Sequence, residues 1–234
     1  MAHPGPTRAR SPAGRFTLCG VHKHPRSPFG FSGTFSSRYV DAGQVRLHAV
    51  IGDDGPPLLL IHGWPGSRYY WRLVMPALAR DFEVIAVDQR GIGLSDKPEG
   101  GYDAGTLAND LVGLMDALGH QQFSVVGVDT GMLIGYALAA DHPERVVRLA
   151  LGEAPLPGIS LPNPLIVPDQ VMPVLAMGGA ESLGAMTADT MRLTADDVQT
   201  LVIPGVGHWL AEEAPEQLVA ALTEFLAPTK ELVR

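Results

Sequence analysis

An acidic residue between two glycines marks the stretch of this sequence best suited to chemistry, VVGVDTGMLIG at residues 125–135. An apolar run ends at Gly127, Asp129 follows, and Gly131 opens a pattern with helical spacing. Glycines at these positions permit a very tight turn from a strand into a helix, and such a turn lifts its central side chain above the sheet edge. The helix N-terminus favours the ionised form of Asp129. The stretch therefore predicts a carboxylate nucleophile that attacks a strained or activated sp³ carbon and forms an alkyl ester.

A second element with chemical potential is the loop IHGWPG at residues 61–66, which follows another apolar run. A loop in this position can aim backbone N–H groups at a developing oxyanion. The candidate donors are the N–H groups of Trp64 and of Thr130, which directly follows the predicted nucleophile. Pro65 has no N–H, and we expect it to lie in a cis turn. His62 and Pro65 are interpreted as residues that support this loop.

A histidine and an acid would complete the constellation. His208 lies in PGVGHW, a glycine-rich loop after the last apolar run, and loops at strand ends are where open α/β sheets build their sites. A histidine there can activate the water that cleaves the ester, and it needs an acid to orient it. Glu153 in LGEAP and Glu181 in MGGAES each follow a strand-like run and could reach the same edge. We favour Glu153 and keep Glu181 as the alternative acid.

Short apolar runs that alternate with helical patterns must position these residues. The runs predict strands buried on both faces, which is typical of a largely parallel sheet covered by helices on both sides. Two β-type runs around Ala42 and Gly43 predict a hairpin, Ser67 a helix N-cap and Gly119 a helix end. The helical patterns are SRYYWRLVMPALAR, AGTLANDLVGLMDALG, GMLIGYALAADHP and APEQLVAALTEFLA.

The composition limits the class of protein and the kind of partner. The chain has 234 residues, 46% of them hydrophobic, which suffices for one α/β domain with a substantial core. A net charge of −8 without a dense basic tract argues against nucleic acid as a partner. No apolar run approaches the ~20 residues that span a bilayer, so no membrane partner is expected. The single cysteine, Cys19, and the lack of a secretory signal favour a cytoplasmic location.

Two segments interrupt the alternation of strands and helices. Residues 1–35 are rich in Pro, Gly, Ser, Arg and His, which predicts a mobile extension. Residues 36–229 form the predicted core domain, and within it residues 154–172 carry five prolines and no helical pattern. The histidines of the extension lack the acids or cysteines that would complete a metal site; they are His3, His22 and His24.

Together, these residues resemble the α/β-hydrolase superfamily, and within it the branch of epoxide hydrolases and haloalkane dehalogenases. The resemblance covers about residues 38–228 without the Pro-rich interval, and it rests on HGWP, DQRGIGLSDKP, the Asp129 turn and GVGHW in this order. It implies the α/β-hydrolase fold, with a mostly parallel twisted sheet of about eight strands. It also implies that Asp129 opens an epoxide and that water activated by His208 hydrolyses the ester to a diol, without cofactor or metal. EAP at Glu153 is similar to the subgroup of epoxide hydrolases whose orienting acid follows that strand.

The sequence departs from this family after the strand that ends at Glu153. Where the family inserts a helical cap, only the Pro-rich residues 154–172 are present. The resemblance implies that the cap carries the Tyr or His side chains that donate to the epoxide oxygen, and no Tyr, His or Trp occurs between Pro143 and Gly207. Tyr69 and Tyr70 could substitute, but we interpret them as packing residues of the first helix.

Three functions follow from this combination. The first is an epoxide hydrolase-like enzyme that acts on a small apolar substrate such as an epoxide. The second is a cap-deleted remnant with impaired catalysis, or a binding scaffold that forms a homodimer through exposed apolar surface. The third is a haloalkane dehalogenase, which needs less acid assistance because halide leaves readily. Thr130 stands where many dehalogenases carry a halide-binding Trp, and DTGML lacks the arginines of the fluoroacetate-type relatives.

Overall fold

The computed structural model describes residues 34–156 and 171–231 of the chain. The predicted mobile extension, residues 1–35 with Cys19 and three histidines, lies almost entirely outside the described residues. The same holds for residues 157–170 of the Pro-rich segment. Within the described residues, the first strand begins at Phe35.

One sheet of eight strands forms the centre of the described chain and confirms the predicted fold class. The strand order is β1-β2-β4-β3-β5-β6-β7-β8; β2 pairs antiparallel with β1 and with β4, and the other neighbours are parallel. The strands are β1 (Phe35–Asp41), β2 (Arg46–Gly52), β3 (Pro57–Ile61), β4 (Glu83–Asp88), β5 (Phe123–Val128), β6 (Val146–Gly152), β7 (Val174–Gly179) and β8 (Val198–Ile203).

The central strands are buried on both faces, as their continuous apolar runs predict. Every residue of β5 and of β7 is buried. Parallel pairing sets Ile61 beside Gly127 and Gly127 beside Leu151, so β3, β5 and β6 end side by side. The loops with the candidate residues therefore leave the sheet at one common edge.

Helices cover both faces of this sheet. α2 and α3 pack in one apolar core, whereas α1, α5, α6 and the first 3₁₀ helix pack in the core on the other face. The helices are α1 (Met75–Leu78), α2 (Ala104–Leu118), α3 (Thr130–Asp141), α4 (Met186–Met191), α5 (Leu210–Glu213) and α6 (Pro215–Leu226), with 3₁₀ helices at Arg68–Leu73 and Ala227–Glu231. Gly119 ends α2 with a left-handed φ of 90°, as predicted.

The first helical pattern differs from its prediction. SRYYWRLVMPALAR, predicted as one helix, is a 3₁₀ helix over Arg68–Leu73 followed by the short α1. Ser67 caps it as predicted, since its hydroxyl accepts the N–H of Tyr69 at 3.3 Å. Pro76 lies in the first turn of α1, where its missing N–H is tolerated, and a continuous helix through it would lack a hydrogen bond. The helices α4 and α5 were not predicted because they are too short to show a period.

The connection between β6 and β7 is short. β6 ends at Gly152 and β7 begins at Val174, so the connection consists of residues 153–173. Several large apolar side chains are exposed around the sheet edge that carries the candidate residues. Among them are Trp64, Leu94, Tyr102 and Trp209. Within the two described ranges, no helix is long and apolar enough to cross a membrane.

At Gly113 in α2, close packing makes replacement of the glycine by alanine destabilising, whereas such a replacement usually stabilises a helix. A Cβ at Gly113 would lie 2.4 Å from the carbonyl oxygen of Ala42 in the β1–β2 turn. A Gly-to-Ala exchange inside a helix ordinarily stabilises by about 0.5–1 kcal/mol. We expect Gly113→Ala to lower the free energy of unfolding by on the order of 1–3 kcal/mol, because backbone must move. Urea denaturation measures this change.

Gly105→Ala in the first turn of the same helix is the matched control. The nearest atom to a Cβ there lies at an ordinary 3.5 Å, so we expect no loss of stability. Equal unfolding free energies for the two variants would contradict the packing account.

Candidate active site

Asp129 stands in the turn between β5 and α3. Its backbone adopts φ 55° and ψ −126°, a conformation that costs energy for a residue other than glycine. A Cβ at Gly127 would lie 2.3 Å from the carbonyl oxygen of Gly131, and one at Gly131 would lie 2.4 Å from that of Ile61. Only glycine fits at both places. The two glycines therefore allow the backbone approach that presents the Asp129 side chain at the sheet edge.

One carboxylate oxygen of Asp129 is bound by two backbone N–H groups. Thr130 donates to Oδ1 at 2.6 Å and Trp64 donates to the same oxygen at 2.8 Å. These are the two donors that the sequence predicts. Gly63 permits the approach of the loop, because a Cβ there would lie 2.5 Å from the Cβ of Asp129. The two oxygens of Asp129 thus have different surroundings, and only Oδ1 lies in the pair of amides.

His208 lies between the two acids Asp129 and Glu153. Its Nε2 is 3.4 Å from Oδ2 of Asp129, and its Nδ1 is 3.0 Å from Oε2 of Glu153. The His208 side chain is one-third exposed (33%), so water can reach the ring, whereas the Glu153 side chain is fully buried. The structure thus brings the three residues favoured from the sequence into one line of contacts.

Glu153, and not the alternative Glu181, occupies the position beside His208. Oε1 of Glu153 accepts the N–H of Gly179 at 2.6 Å, and Oε2 accepts the Ser182 hydroxyl at 2.6 Å. Glu181 follows β7 and is exposed. Sequence reasoning missed Ser182, the neighbour of Glu181, because a serine after a strand carries no signal until the acid that it binds is located.

The loop before Trp64 has the features predicted for it. The peptide bond between Trp64 and Pro65 is cis. His62 is buried; its Nδ1 lies 2.8 Å from the carbonyl oxygen of Gly63, and its Nε2 accepts the N–H of Gln89 at 3.3 Å. Burial lowers the pKa of His62, which fits a neutral ring that donates from Nδ1 and accepts at Nε2. His62 therefore acts as a structural support between β3 and β4.

Asp88, which the sequence analysis did not single out, holds the chain at Arg68, just after this loop, through hydrogen bonds. It accepts the N–H of Arg68 at 3.0 Å and the guanidinium of Arg68 at 2.6 Å, and it lies 3.0 Å from Nδ1 of His48. Burial alone would raise the pKa of Asp88. The bond with His48, the charge of Arg68 and the N–H groups of Arg68 and Leu94 outweigh burial and lower the pKa to about 2.

An open cavity of about 450 Å³ lies beside the nucleophile, a size typical of small-molecule sites. Trp64 and Thr130 form part of its wall, together with apolar side chains such as Leu107 and Leu133. The wall also includes Arg90, whose Nε and Nη2 each donate at 2.7 Å to a carboxylate oxygen of Asp110. Both side chains of this ion pair are almost fully buried, so the charge of Arg90 is compensated within the protein.

The two tyrosines after the loop have different environments. Tyr70 is buried, its ring packs against Trp71 at 4.7 Å between centroids, and its hydroxyl accepts the N–H of Ala211 at 3.1 Å. Burial raises the pKa of Tyr70. Tyr69 is 43% exposed and lies under the guanidinium of Arg72 at 4.4 Å. The sequence predicts packing for both tyrosines; Tyr70 packs in the core as expected, whereas Tyr69 is exposed and contacts Arg72.

No group of three or more His, Cys, Asp and Glu side chains able to hold a metal ion occurs in the part of the chain that the structure describes. The described site consists of the acids, the histidine and the backbone amides named above.

Residues 56–190 match the model of a protein family described by its α/β-hydrolase fold, and the chain belongs to that family. It is 41% identical to a fluoroacetate dehalogenase of Burkholderia sp over 50% of this chain and 40% of that protein. It is 44% identical to a soluble epoxide hydrolase of Corynebacterium sp. (strain C12) over 49% of this chain and 40% of that protein. The matches therefore span less than half the length of these relatives.

Solved structures agree with this assignment. Cfl2 of Burkholderia cenocepacia superposes with a TM-score of 0.75 at 27% identity, over 82% of this chain and 96% of that chain. The epoxide hydrolase CorEH gives a TM-score of 0.71 at 25% identity, over 83% of this chain and 99% of that chain. The resemblance to the superfamily that was stated from the sequence is confirmed.

The pKa of Asp88 leads to a dependence of stability on pH. A carboxyl whose pKa is lowered by folding stabilises the fold above its unfolded pKa, and this contribution disappears as the pH falls through the folded value. Folding lowers the pKa of Asp88 from its ordinary value of 3.8 to about 2. The ionised carboxylate therefore stabilises the fold by about 2 kcal/mol at neutral pH. We expect this contribution to fade between pH about 4 and 2.

Urea unfolding of the wild type and of Asp88→Asn at several pH values tests this expectation. The difference between their unfolding free energies must shrink over that interval. A difference that stays constant down to pH 2 would show that folding does not lower the pKa of Asp88.

Proposed function

We propose that the chain is an epoxide hydrolase-like enzyme, in which Asp129 forms a covalent alkyl ester that water activated by His208 then hydrolyses. The observation that carries this proposal is the line of contacts from Glu153 through His208 to Asp129, next to the amide pair of Trp64 and Thr130. The names of several relatives, an epoxide hydrolase and a dehalogenase among them, support the same type of substrate carbon.

In the first step, Oδ2 of Asp129 attacks an epoxide carbon. Oδ1 is already bound by two N–H groups, whereas Oδ2 faces His208 and the open edge of the sheet. A bond forms between Oδ2 and carbon, the carbon–oxygen bond of the ring breaks, and its electron pair stays on the ring oxygen. That oxygen takes a proton from solvent at the open edge. Loss of an acid donor at this point costs on the order of 10²–10⁴ in the rate of this step.

In the second step, Nε2 of His208 takes a proton from water, which attacks the carboxyl carbon of the ester. The negative charge that develops on Oδ1 lies between the N–H groups of Trp64 and Thr130. The intermediate collapses as the bond between the carboxyl carbon and Oδ2 breaks, and the diol leaves with Oδ2 as one of its hydroxyl oxygens and with the proton from His208. The water oxygen takes the place of Oδ2, and the carboxyl group of Asp129 releases its remaining proton to solvent. Glu153 accepts the Nδ1–H of His208 and so presents the lone pair of Nε2 to water.

Dehalogenation is the second candidate, favoured by the 41% identity with a fluoroacetate dehalogenase. A haloacid substrate carries a carboxylate, which needs an uncompensated cation in the site. Arg90 in the cavity wall is engaged by both oxygens of Asp110, so its charge is not available to a ligand. The cavity therefore favours an uncharged epoxide, or an uncharged haloalkane, over a haloacid.

The impaired remnant and the homodimeric scaffold are the alternatives without turnover. We propose a cytoplasmic location for the protein whichever of these functions it has, because its single cysteine, Cys19, fits a reducing compartment. The exposed Trp64 and Trp209 at the site are compatible with a bound apolar substrate and with a partner surface alike. Activity, and not shape, has to separate these functions.

The ester on Asp129 is the species to measure. Wild type and His208→Gln are incubated with small and aromatic epoxides, a haloalkane and a haloacid. We expect diol from the wild type, and from His208→Gln an adduct of one substrate mass that peptide mapping assigns to Asp129. Asp129→Ala is the control and must show neither. If no substrate gives an adduct or a product, the enzyme proposal fails and the remnant or scaffold is favoured.

Two parallel substitutions distinguish which of the two candidate acids orients His208. Glu153→Gln removes the negative charge beside His208 and replaces one of the two accepting carboxylate oxygens with an NH₂ group, and we expect ester hydrolysis to slow by on the order of 10²–10⁴. Glu181→Gln alters an exposed side chain and should leave hydrolysis within about twofold. Single-turnover decay of the Asp129 ester measures both. A larger loss in Glu181→Gln would reverse the assignment of the orienting acid.

A further inference from the structure

A second carboxylate contacts the loop of His208. Glu213, the last residue of α5, accepts the N–H of Gly207 through Oε2 at 2.8 Å and the N–H of Trp209 through Oε1 at 2.9 Å. Gly207 and Trp209 are the residues immediately before and after His208. One side chain thus bridges the two backbone amides that flank the histidine.

The local backbone is shaped to receive this carboxylate. A Cβ at Gly207 would lie 3.2 Å from both carboxylate oxygens of Glu213, which is closer than side chains ordinarily pack. The carbonyl oxygen of Trp209 accepts the N–H of Glu213 at 2.8 Å, so backbone and side chain bind Glu213 to Trp209 in both directions. N–H groups at the start of a helix have no partner within the helix, and here Glu213 supplies one.

The charge state of Glu213 agrees with this contact. The hydrogen bonds from Gly207 and Trp209, with a smaller effect of the charge of His208, lower the pKa of Glu213. The carboxylate is therefore ionised at neutral pH and accepts both bonds.

The geometry points to Glu213 as a positioning residue for His208, an inference that rests on the proposed function. Glu153 fixes the direction of the imidazole ring, and Glu213 fixes the backbone on both sides of it. The loop needs such a constraint, because Gly205 and Gly207 give it freedom and the ring is one-third exposed. With the loop held, Nε2 stays at 3.4 Å from Oδ2 of Asp129 while Nδ1 stays on Glu153.

Glu213 affects only one step of the proposed reaction. His208 takes part in hydrolysis of the ester, whereas Asp129 forms the ester without it. Displacement of the histidine must therefore slow the second step and leave the first step unchanged. A general loss of fold stability would lower both rates together, so the two rates distinguish positioning from a merely structural role.

Step-resolved kinetics of Glu213→Ala and Glu213→Gln test this claim. We expect ester formation within about twofold of wild type and ester hydrolysis reduced by on the order of 10–100-fold in Glu213→Ala, the size expected for a small misplacement. Glu213→Gln should be intermediate, because its amide oxygen can still accept one bond. The ester on Asp129 should accumulate in the same order in intact-mass spectra.

Glu212→Ala is the matched control on the same helix. Glu212 pairs with Arg72 at 2.5 Å, and its removal should leave both steps at wild-type rates. If Glu213→Ala hydrolyses the ester as fast as wild type, or slows both steps equally, the inference is overturned.

A measurement without substrate keeps the inference separate from the proposed function. Amide hydrogen exchange of Gly207 and Trp209 reports directly whether Glu213 holds the loop. We expect exchange at least ~10-fold faster in Glu213→Ala and unchanged in Glu212→Ala. If His208→Gln yields no ester, the proposed function fails, and the exchange rates still decide whether Glu213 fixes this loop. Unchanged exchange in Glu213→Ala overturns the inference.

Discussion

The close approach of backbone around Asp129 is the constraint on which the rest of the site depends. Where β5 turns into α3, the chain passes within contact of the end of β3, and Gly127 and Gly131 leave no room for a Cβ. This contact strains Asp129 into a positive φ and at the same time brings the N–H of Trp64 and of Thr130 to one carboxylate oxygen. The energy stored in the turn is offset by the packed strands beneath it, which are buried on both faces.

The parallel sheet also fixes the position of Glu153 relative to Asp129. The N–H of Asp129 donates to the carbonyl oxygen of Gly152, and the N–H of Glu153 donates to that of Met177, so the ladder continues one residue past each strand. Asp129 and Glu153 are therefore fixed relative to each other by backbone hydrogen bonds. His208 comes from a longer, glycine-containing loop and depends on side chains for its position. This difference explains why two acids contact its segment, one at the ring and one at the flanking amides.

Exposed aromatic side chains surround the site within the part of the chain that the structure describes. The connection between β6 and β7 comprises residues 153–173, and exposed Trp64 and Trp209 stand at the site. Because the His208 side chain is one-third exposed, water can reach its ring, as the hydrolytic step of the proposed reaction requires. In the cavity wall, Asp110 compensates the charge of Arg90, and the proposed preference for uncharged ligands rests on this ion pair.

The sequence alone predicted the buried strands, the turn at Asp129 and the two N–H groups beside its carboxylate, because continuous apolar runs and glycines at fixed offsets depend on local sterics. It left Glu153 and Glu181 as alternatives, since both follow strands and only the distances to Nδ1 of His208 separate them. Neither the division of the first helix nor the contacts of Ser182 and Glu213 with the site had a sequence signal. Those features arise where segments far apart in the chain, or a side chain folded back over a turn, come into contact, and such contacts depend on how the whole chain packs.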